Sequence, residues 1–412
     1  MATILAYTSP ALGHLYPICA LLAELRERGH HVVLRTLAAG VLTGRRAGFV
    51  TEAIDPRIED IVMSDWRAAN QRAALSLACR AFSERATHEI DDLRGAIDTV
   101  APDALIIDTN CWGAAAVADA GDVPWLTFWP YTPFLGSRGV PPFGPGLRPW
   151  PGVAGRIRDA ALRPIVLGAV EKAMLGLLNK VRADAGAVPV GSADEFARRA
   201  PLILVATGEP FEYPHPDWGG SVQLIGPCDF DPPADPPPRL DGIDSPVVLV
   251  SNSSERQDDA ALALTALEAL ADQPVHVVAT LPTGVPHGIT PPPNATVTAF
   301  VPHGAVLDRA VCAVTHGGMG TTQKALVRGV PVCVVPHGRD QFEVARRVEV
   351  SRSGTRLAAR RLSPMRLKAK VLQAMSMTEG ARRVADGFSA TGGVGYGADL
   401  VERRLLGQHA PA

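Results

Sequence analysis

Two histidines far apart in the chain, His14 and His316, each sit among glycines where they could do chemistry. His14 falls in Gly13-His14-Leu15-Tyr16-Pro17, just after a short apolar run, and Asp108 closes another such run, Ala104 to Ile107. If the two runs are neighbouring strands, the carboxylate can bond one imidazole nitrogen and leave the other to take a proton. That is the arrangement of a His–Asp general base. Read alone, the same residues equally describe a helix cap and a strand end. His316 opens His316-Gly317-Gly318-Met319-Gly320-Thr321-Thr322. Glycines let backbone approach a ligand closely, and the open N–H groups of a helix start favour negative charge. The imidazole and the Thr321 hydroxyl can bond the same anion. Three glycines exceed what a capped turn requires, so a phosphate-bearing ligand is expected. The pattern is neither a Walker loop nor GxGxxG.

Three further groups stand at the ends of apolar runs. Ser251-Asn252-Ser253-Ser254 can bond phosphate or sugar oxygens, or make a turn. Phe300 and Val301 offer an aromatic face and backbone groups that suit a nucleobase, although a lone Phe there equally fits a core. Asp340-Gln341 opens a helix, as an N-cap or as a grip on sugar hydroxyls.

Elements must bring these residues together. Thr3 to Tyr7 reads as a strand, and a loop with Pro10, Gly13, His14 and Pro17 leads to a helix, Ile18 to Arg28, that Gly29 ends. With the strand His31 to Thr36 this makes a parallel β-α-β unit. Helical period recurs in Ser76 to Ala101 and Trp112 to Ala120, and strand character in Ala104 to Ile107, Trp125 to Trp129 and Leu202 to Ala206. Pro130 to Pro151 has no period, and a loop of that length inside a compact domain is usually functional or mobile. Proline-rich sequence from Ile225 to Ser245 reads as a semi-extended linker. Alternation then restarts, with strands at Val247 to Ser251, His276 to Leu281 and Thr296 to Val301 and a helix at Asp258 to Ala271. The stretch from Ala313 gives a strand, the glycine turn, a helix from Thr321 and a strand at Pro331 to Pro336. Helices at Pro364 to Met375 and Glu379 to Phe388 follow, and a last helix, Ala398 to Leu406, comes after a glycine-rich hinge. The expected fold is α/β: two doubly wound Rossmann-like domains facing each other across a cleft, where ligands bind beyond the strand carboxyl ends.

Composition excludes other classes. The 412 residues suggest two domains, and 47% hydrophobic with 20% charged residues is that of a globular protein. A formal charge of -2 gives no case for nucleic acid or an acidic membrane. The start lacks a basic region and cleavage site, and no apolar run reaches spanning length, so a cytoplasmic protein without stable membrane insertion is expected. The six cysteines form no CxxC pair and read as buried thiols, with no metal site.

Together these residues resemble the nucleotide-sugar glycosyltransferases of the GT-B fold, family 1. That family includes plant UDP-glycosyltransferases and actinobacterial enzymes acting on macrolides, aromatic polyketides and enediynes. The most specific part is Phe300 to Ala345, where FVPHGAVL, THGGMGTT, GVPV and DQ keep the family's order and spacing. GHLYP resembles the family's GHxxP, and IIDTNCW carries its aspartate at the matching place. The resemblance implies residues 1–225 as an acceptor-binding domain, 226–245 as linker, 246–390 as a nucleotide-sugar-binding domain, and 391–412 as a hinge and helix packing back on the first. It implies an inverting hexosyltransferase with His14 as general base and Asp108 as its partner. His316, the amides of Gly317, Gly318 and Gly320, Thr321 and Ser254 would hold the donor diphosphate. Phe300 would stack on the base, Val301 would read it through backbone, and Asp340 and Gln341 would bind sugar hydroxyls. No cofactor is implied; a UDP- or dTDP-sugar is the co-substrate and an apolar small molecule the acceptor. Aromatics near the cleft, chiefly Trp66, Trp112 and Phe134, are the expected acceptor wall. A homodimer is left open. Lys324 departs from the pattern, standing where many members have a ribose-binding Glu, and this leans the donor towards dTDP. Competing readings are a catalytically silent donor-binding partner of another transferase, a nucleotide-sugar 2-epimerase, or a lipid-linked sugar transferase.

Overall fold

Apolar runs bounded by glycine, proline or charge form thirteen strands in two parallel sheets among the described residues of a computed structural model. The structure describes residues 1–232, 242–255, 257, 260–285 and 290–407. The first sheet holds β1 (Thr3–Tyr7), β2 (His31–Thr36), β3 (Val50–Ala53), β4 (Ala104–Asp108), β5 (Trp125–Trp129), β6 (Leu202–Val205) and β7 (Val222–Leu224), in the order β3-β2-β1-β4-β5-β6-β7. The second holds β8 (Val247–Ser251), β9 (His276–Thr280), β10 (Ala295–Thr298), β11 (Ala310–Thr315), β12 (Val332–Val334) and β13 (Gly354–Arg356), in the order β10-β9-β8-β11-β12-β13. Helices cover both faces, so central strands such as β4 and β8 are buried at every residue and read as unbroken apolar runs.

Strand order reverses twice, between β1 and β4 and between β8 and β11. At such a reversal the connections leave on opposite faces and open a crevice at the strand carboxyl ends. The pairing Tyr7↔Ile107 brings the residues after β1 beside Asp108. The pairing Thr315↔Ser251 brings His316 beside Asn252.

Several elements differ from the sequence reading. The first helix runs Leu12–Glu27, so His14 lies in its first turn and not in a loop. Pro17 costs that helix one backbone bond; the fully buried Leu15, Ile18, Leu21, Leu22 and Leu25 outweigh it. The last helix runs Gly393–Arg404 and takes in the expected hinge. Gly397 explains why: a Cβ there would lie 3.1 Å from Leu21 and from Ile225, so glycine allows close packing on the first helix. Ala398 and Val401 are fully buried in that contact, and Arg28 bonds Asp399 at 2.6 Å and Glu402 at 2.8 Å. Burial of such side chains, about 1.5–3 kcal/mol each for the larger ones, holds this helix more than its exposed ion pairs do.

The described part of the expected linker is not a free spacer. Phe230 packs on the N-terminal core, while Asp229 and Asp231 reach Lys324 and Arg328 on the second half. Prolines suggested extension, and the carboxylates between them give it docking partners. Asp235-Pro236-Pro237-Pro238 lies outside the described residues.

Candidate active site

His14 and Asp108 meet. The imidazole Nδ1 lies 2.7 Å from Asp108 Oδ2, with the carboxylate fully buried and the His14 side chain 15% exposed. Asp108 Oδ1 accepts the Asn110 backbone N–H at 2.8 Å, which fixes the carboxylate. Burial pushes the imidazole down, but the Asp108 charge and hydrogen bond outweigh it, and Glu255 and Asp340 add to them. His14 therefore sits above the usual histidine value. Its other nitrogen, Nε2, lies 3.3 Å from Asn110 Nδ2, and the Tyr131 hydroxyl donates to Asn110 Oδ1 at 2.8 Å.

Across the cleft, the helix Met319–Val327 starts two residues earlier than expected, at Met319, with Gly318 as its N-cap and no side-chain cap. Helix geometry leaves the first N–H groups without intrahelical carbonyls, and they open towards the crevice beyond β8 and β11. Gly317 needs its positive φ of 100° to make the turn. Gly318 is required by contact: a Cβ would lie 2.6 Å from His316 Nε2. Thr315 Oγ1 accepts the Gly317 N–H at 3.0 Å and lies 3.3 Å from Thr322 Oγ1, so the turn is held from beneath. Phe300 is 49% exposed and therefore not core, whereas Val301 is buried. Asp340 caps the helix Gln341–Val350 through backbone alone, and burial pushes its carboxyl above the usual value. Gln341 Oε1 accepts from His337 N at 2.8 Å and Gly338 N at 3.1 Å, so its amide first staples the loop.

One cavity of ≈ 260 Å³ joins the two sides. His14 and Tyr131 line it from the first half, and Ser254, Phe300, Val301, His316, Gly318, Gly320, Thr321, Asp340 and Gln341 from the second. Gly317 lies behind it, packed on Gln341. The three expected acceptor aromatics do not line it. Trp112 is buried between Phe82 and Phe196 in the core, because its helix packs so closely that a Cβ on Gly113 would lie 2.2 Å from the Ala86 carbonyl oxygen. Phe134 packs on Trp129 with ring centroids 5.2 Å apart, and Trp66 lies against the Arg67 guanidinium. Composition counts aromatics without showing which way each one faces. The aromatic beside the imidazole is Tyr131, with centroids 5.7 Å apart.

Comparison with known proteins is consistent over the whole chain. Residues 264–392 match the erythromycin biosynthesis protein CIII-like C-terminal domain family. A 4'-demethylrebeccamycin synthase from Lentzea aerocolonigenes is 31% identical over 420 residues, covering 97% of this chain and 99% of the relative. The chain belongs to the GT-B glycosyltransferases of family 1. A rhamnosyltransferase of PGL/p-HBAD biosynthesis from Mycobacterium bovis is 34% identical over 177 residues, 42% of this chain and 39% of the relative. The solved glycotransferase of kitacinnamycin aligns with a TM-score of 0.73 and 25% identity, over 98% of both chains.

This natural-product glycosyltransferase, a hexosyltransferase by its relatives, carries site residues that the sequence did not reveal. Lys324 is not an isolated cation: its Nζ lies 2.5 Å from Asp231 Oδ1 and 3.1 Å from Asp229 Oδ1. Asp231 Oδ2 in turn accepts the Gly304 N–H at 2.9 Å. Asp231 thus bridges the helix of the glycine turn and the short helix His303–Leu307 that follows Phe300, and it lines the cavity. Arg339 holds a left-handed φ of 52° and reaches across the cleft, bonding Asp65 Oδ2 at 2.8 Å and Oδ1 at 2.9 Å and also pairing with Glu255. Arg339 and Asp65 are 274 residues apart, and no local pattern links them. Asn110 was visible only as one residue of IIDTNCW, two after Asp108.

Proposed function

We propose that the enzyme transfers a hexosyl group with inversion from a dTDP- or UDP-sugar to a hydroxyl of an apolar small molecule. One observation carries this reading: His14, backed by the buried Asp108, from one domain and an uncapped glycine-rich helix start with His316 from the other line the same cavity. Displacement at an anomeric carbon needs those two parts on opposite faces. His14 Nε2 takes the proton of the acceptor hydroxyl, the oxygen forms its bond to the anomeric carbon, and the carbon–oxygen bond to diphosphate breaks. The nucleoside diphosphate leaves with the electron pair. Asp108 holds the tautomer and stabilises the imidazolium. His316, the amides of Gly320 and Thr321, and the Thr321 hydroxyl meet the developing charge, with Ser254 beside them.

Phe300 presents an open face for the base, and Val301 the backbone next to it. A pentose must lie between base and diphosphate, and Asp231 is bonded to an element on each side of that position. Its carboxylate supplies the hydroxyl acceptor that Lys324 cannot. Asp340 is the carboxylate for the sugar. Tyr131 and Pro130 form the acceptor wall beside His14.

Calorimetry with dTDP and UDP, followed by transfer assays on phenols and macrolides, tests the reading. Nucleotide binding together with glycoside formation is expected. Nucleotide binding without hydrolysis or transfer would instead favour a silent donor-binding partner.

A further inference from the structure

We propose that Asn110 is a positioning residue for His14: its carboxamide, oriented by Tyr131, selects the Nδ1–H tautomer and occupies Nε2 until an acceptor hydroxyl takes its place. This rests on the reading of His14 as the base. Asn110 has three polar contacts in the site. Its backbone N–H fixes Asp108 Oδ1, its Oδ1 accepts from Tyr131, and its Nδ2 faces the imidazole. In the structure the Tyr131 hydroxyl donates to the amide oxygen, and this sets the amide's direction. With Oδ1 taken by a hydroxyl donor, the NH₂ side points at Nε2, which must then offer a lone pair. A neutral ring with its proton on Nδ1, towards Asp108, is the one form that satisfies both neighbours.

The arrangement solves a problem set by the surroundings. Asp108 from β4, Asp340 before the helix Gln341–Val350 and Glu255 after β8 all act on His14 in the direction of protonation, and Tyr131 faces it from the end of β5. A protonated imidazole cannot accept the acceptor's proton. Asn110 acts against those carboxylates, because a donor at Nε2 favours the neutral ring. At 3.3 Å its contact is long for a hydrogen bond, so a hydroxyl at normal distance displaces it at little cost. Tyr131 keeps the released amide from swinging its oxygen to Nε2.

Ring-nitrogen NMR of histidine-labelled enzyme, titrated with pH, reads the tautomer directly. In the wild type the Nδ1–H form should dominate once His14 is neutral. Asn110→Ala should raise the His14 midpoint by about 0.3 to 0.5 in pH, the value of a weak net hydrogen bond. The acid limb of kcat/KM should move with it while the KM for donor stays unchanged. Tyr131→Phe, which frees the amide, should shift the midpoint the same way by less. Identical midpoint and nitrogen shifts in wild type and Asn110→Ala, with nucleotide binding intact, would overturn the proposal. If Asn110→Ala does not fold, Tyr131→Phe decides by the same readout, an unchanged midpoint counting against the proposal. Retained turnover in His14→Ala would sink the base assignment, and the nitrogen shifts would still decide the role of Asn110.

Discussion

At the scale of single residues, burial sets ionisation against the local charges, and the outcome differs from site to site. His14 is buried yet raised, because Asp108 lies 2.7 Å away. A base must be neutral to act, so kcat/KM should rise with pH through a midpoint above the usual 6.5 and then level off. A profile whose acid limb lies at or below that value would contradict the pairing. Glu89 shows the opposite balance: burial raises its carboxyl from 4.5 to about 8, although it accepts the Gly113 N–H at 2.8 Å. At neutral pH the folded carboxyl keeps its proton and the unfolded one releases it. Stability should therefore fall as pH rises from about 4.5 to about 8. Glu89→Gln should remove that slope in denaturant titrations across the window; an unchanged slope would place the linkage elsewhere.

At the scale of elements, the turn from β11 into the helix Met319–Val327 is the most constrained piece of the site. Gly318→Ala puts a methyl 2.6 Å from His316 Nε2, so the ring must shift from its present position. We expect nucleotide affinity to fall about tenfold, roughly the value of one charge-assisted hydrogen bond, with the melting temperature little changed. Unchanged affinity in calorimetry would remove His316 from the diphosphate site. This turn was legible in the sequence because glycine demands come from backbone, which local pattern encodes. The strands β1, β4, β5 and β8 were equally legible, since burial on both faces leaves an apolar run, and β2 was legible from its Val32-Val33-Leu34 centre. The three-residue β7 was missed because it is too short to show a pattern. The start of the first helix was missed because Pro17 and Gly13 look like a loop until the leucines beneath them are seen to be buried. Facing direction was the larger failure. Trp112 has the right chemistry for an acceptor wall, but Gly113 turns its helix into the core.

At the scale of the molecule, the two halves are tied across the cleft by charge, and no sequence pattern encodes those ties. Arg339 bonds Asp65 with two hydrogen bonds, and Arg347 bonds Glu212 at 2.7 Å where both side chains are buried. The cavity of ≈ 260 Å³ is smaller than the roughly 300–1,000 Å³ that holds one drug-sized ligand, so two substrates require it to widen. Asp65→Ala should loosen closure, raising the radius of gyration in small-angle scattering and the KM for both substrates. Asp65→Asn, which keeps a hydrogen-bond acceptor for Arg339 and leaves its Glu255 pair in place, should have a smaller effect, and no change in either variant would reduce the contact to surface decoration. The central claim is that base and donor site are separate halves of one bipartite site. The direct measurement is transfer by His14→Ala at saturating donor, with nucleotide affinity determined on the same protein. The account predicts kcat lower by about 10² to 10⁴ with affinity unchanged. Turnover within about tenfold of wild type, or lost nucleotide binding in a folded variant, would contradict it.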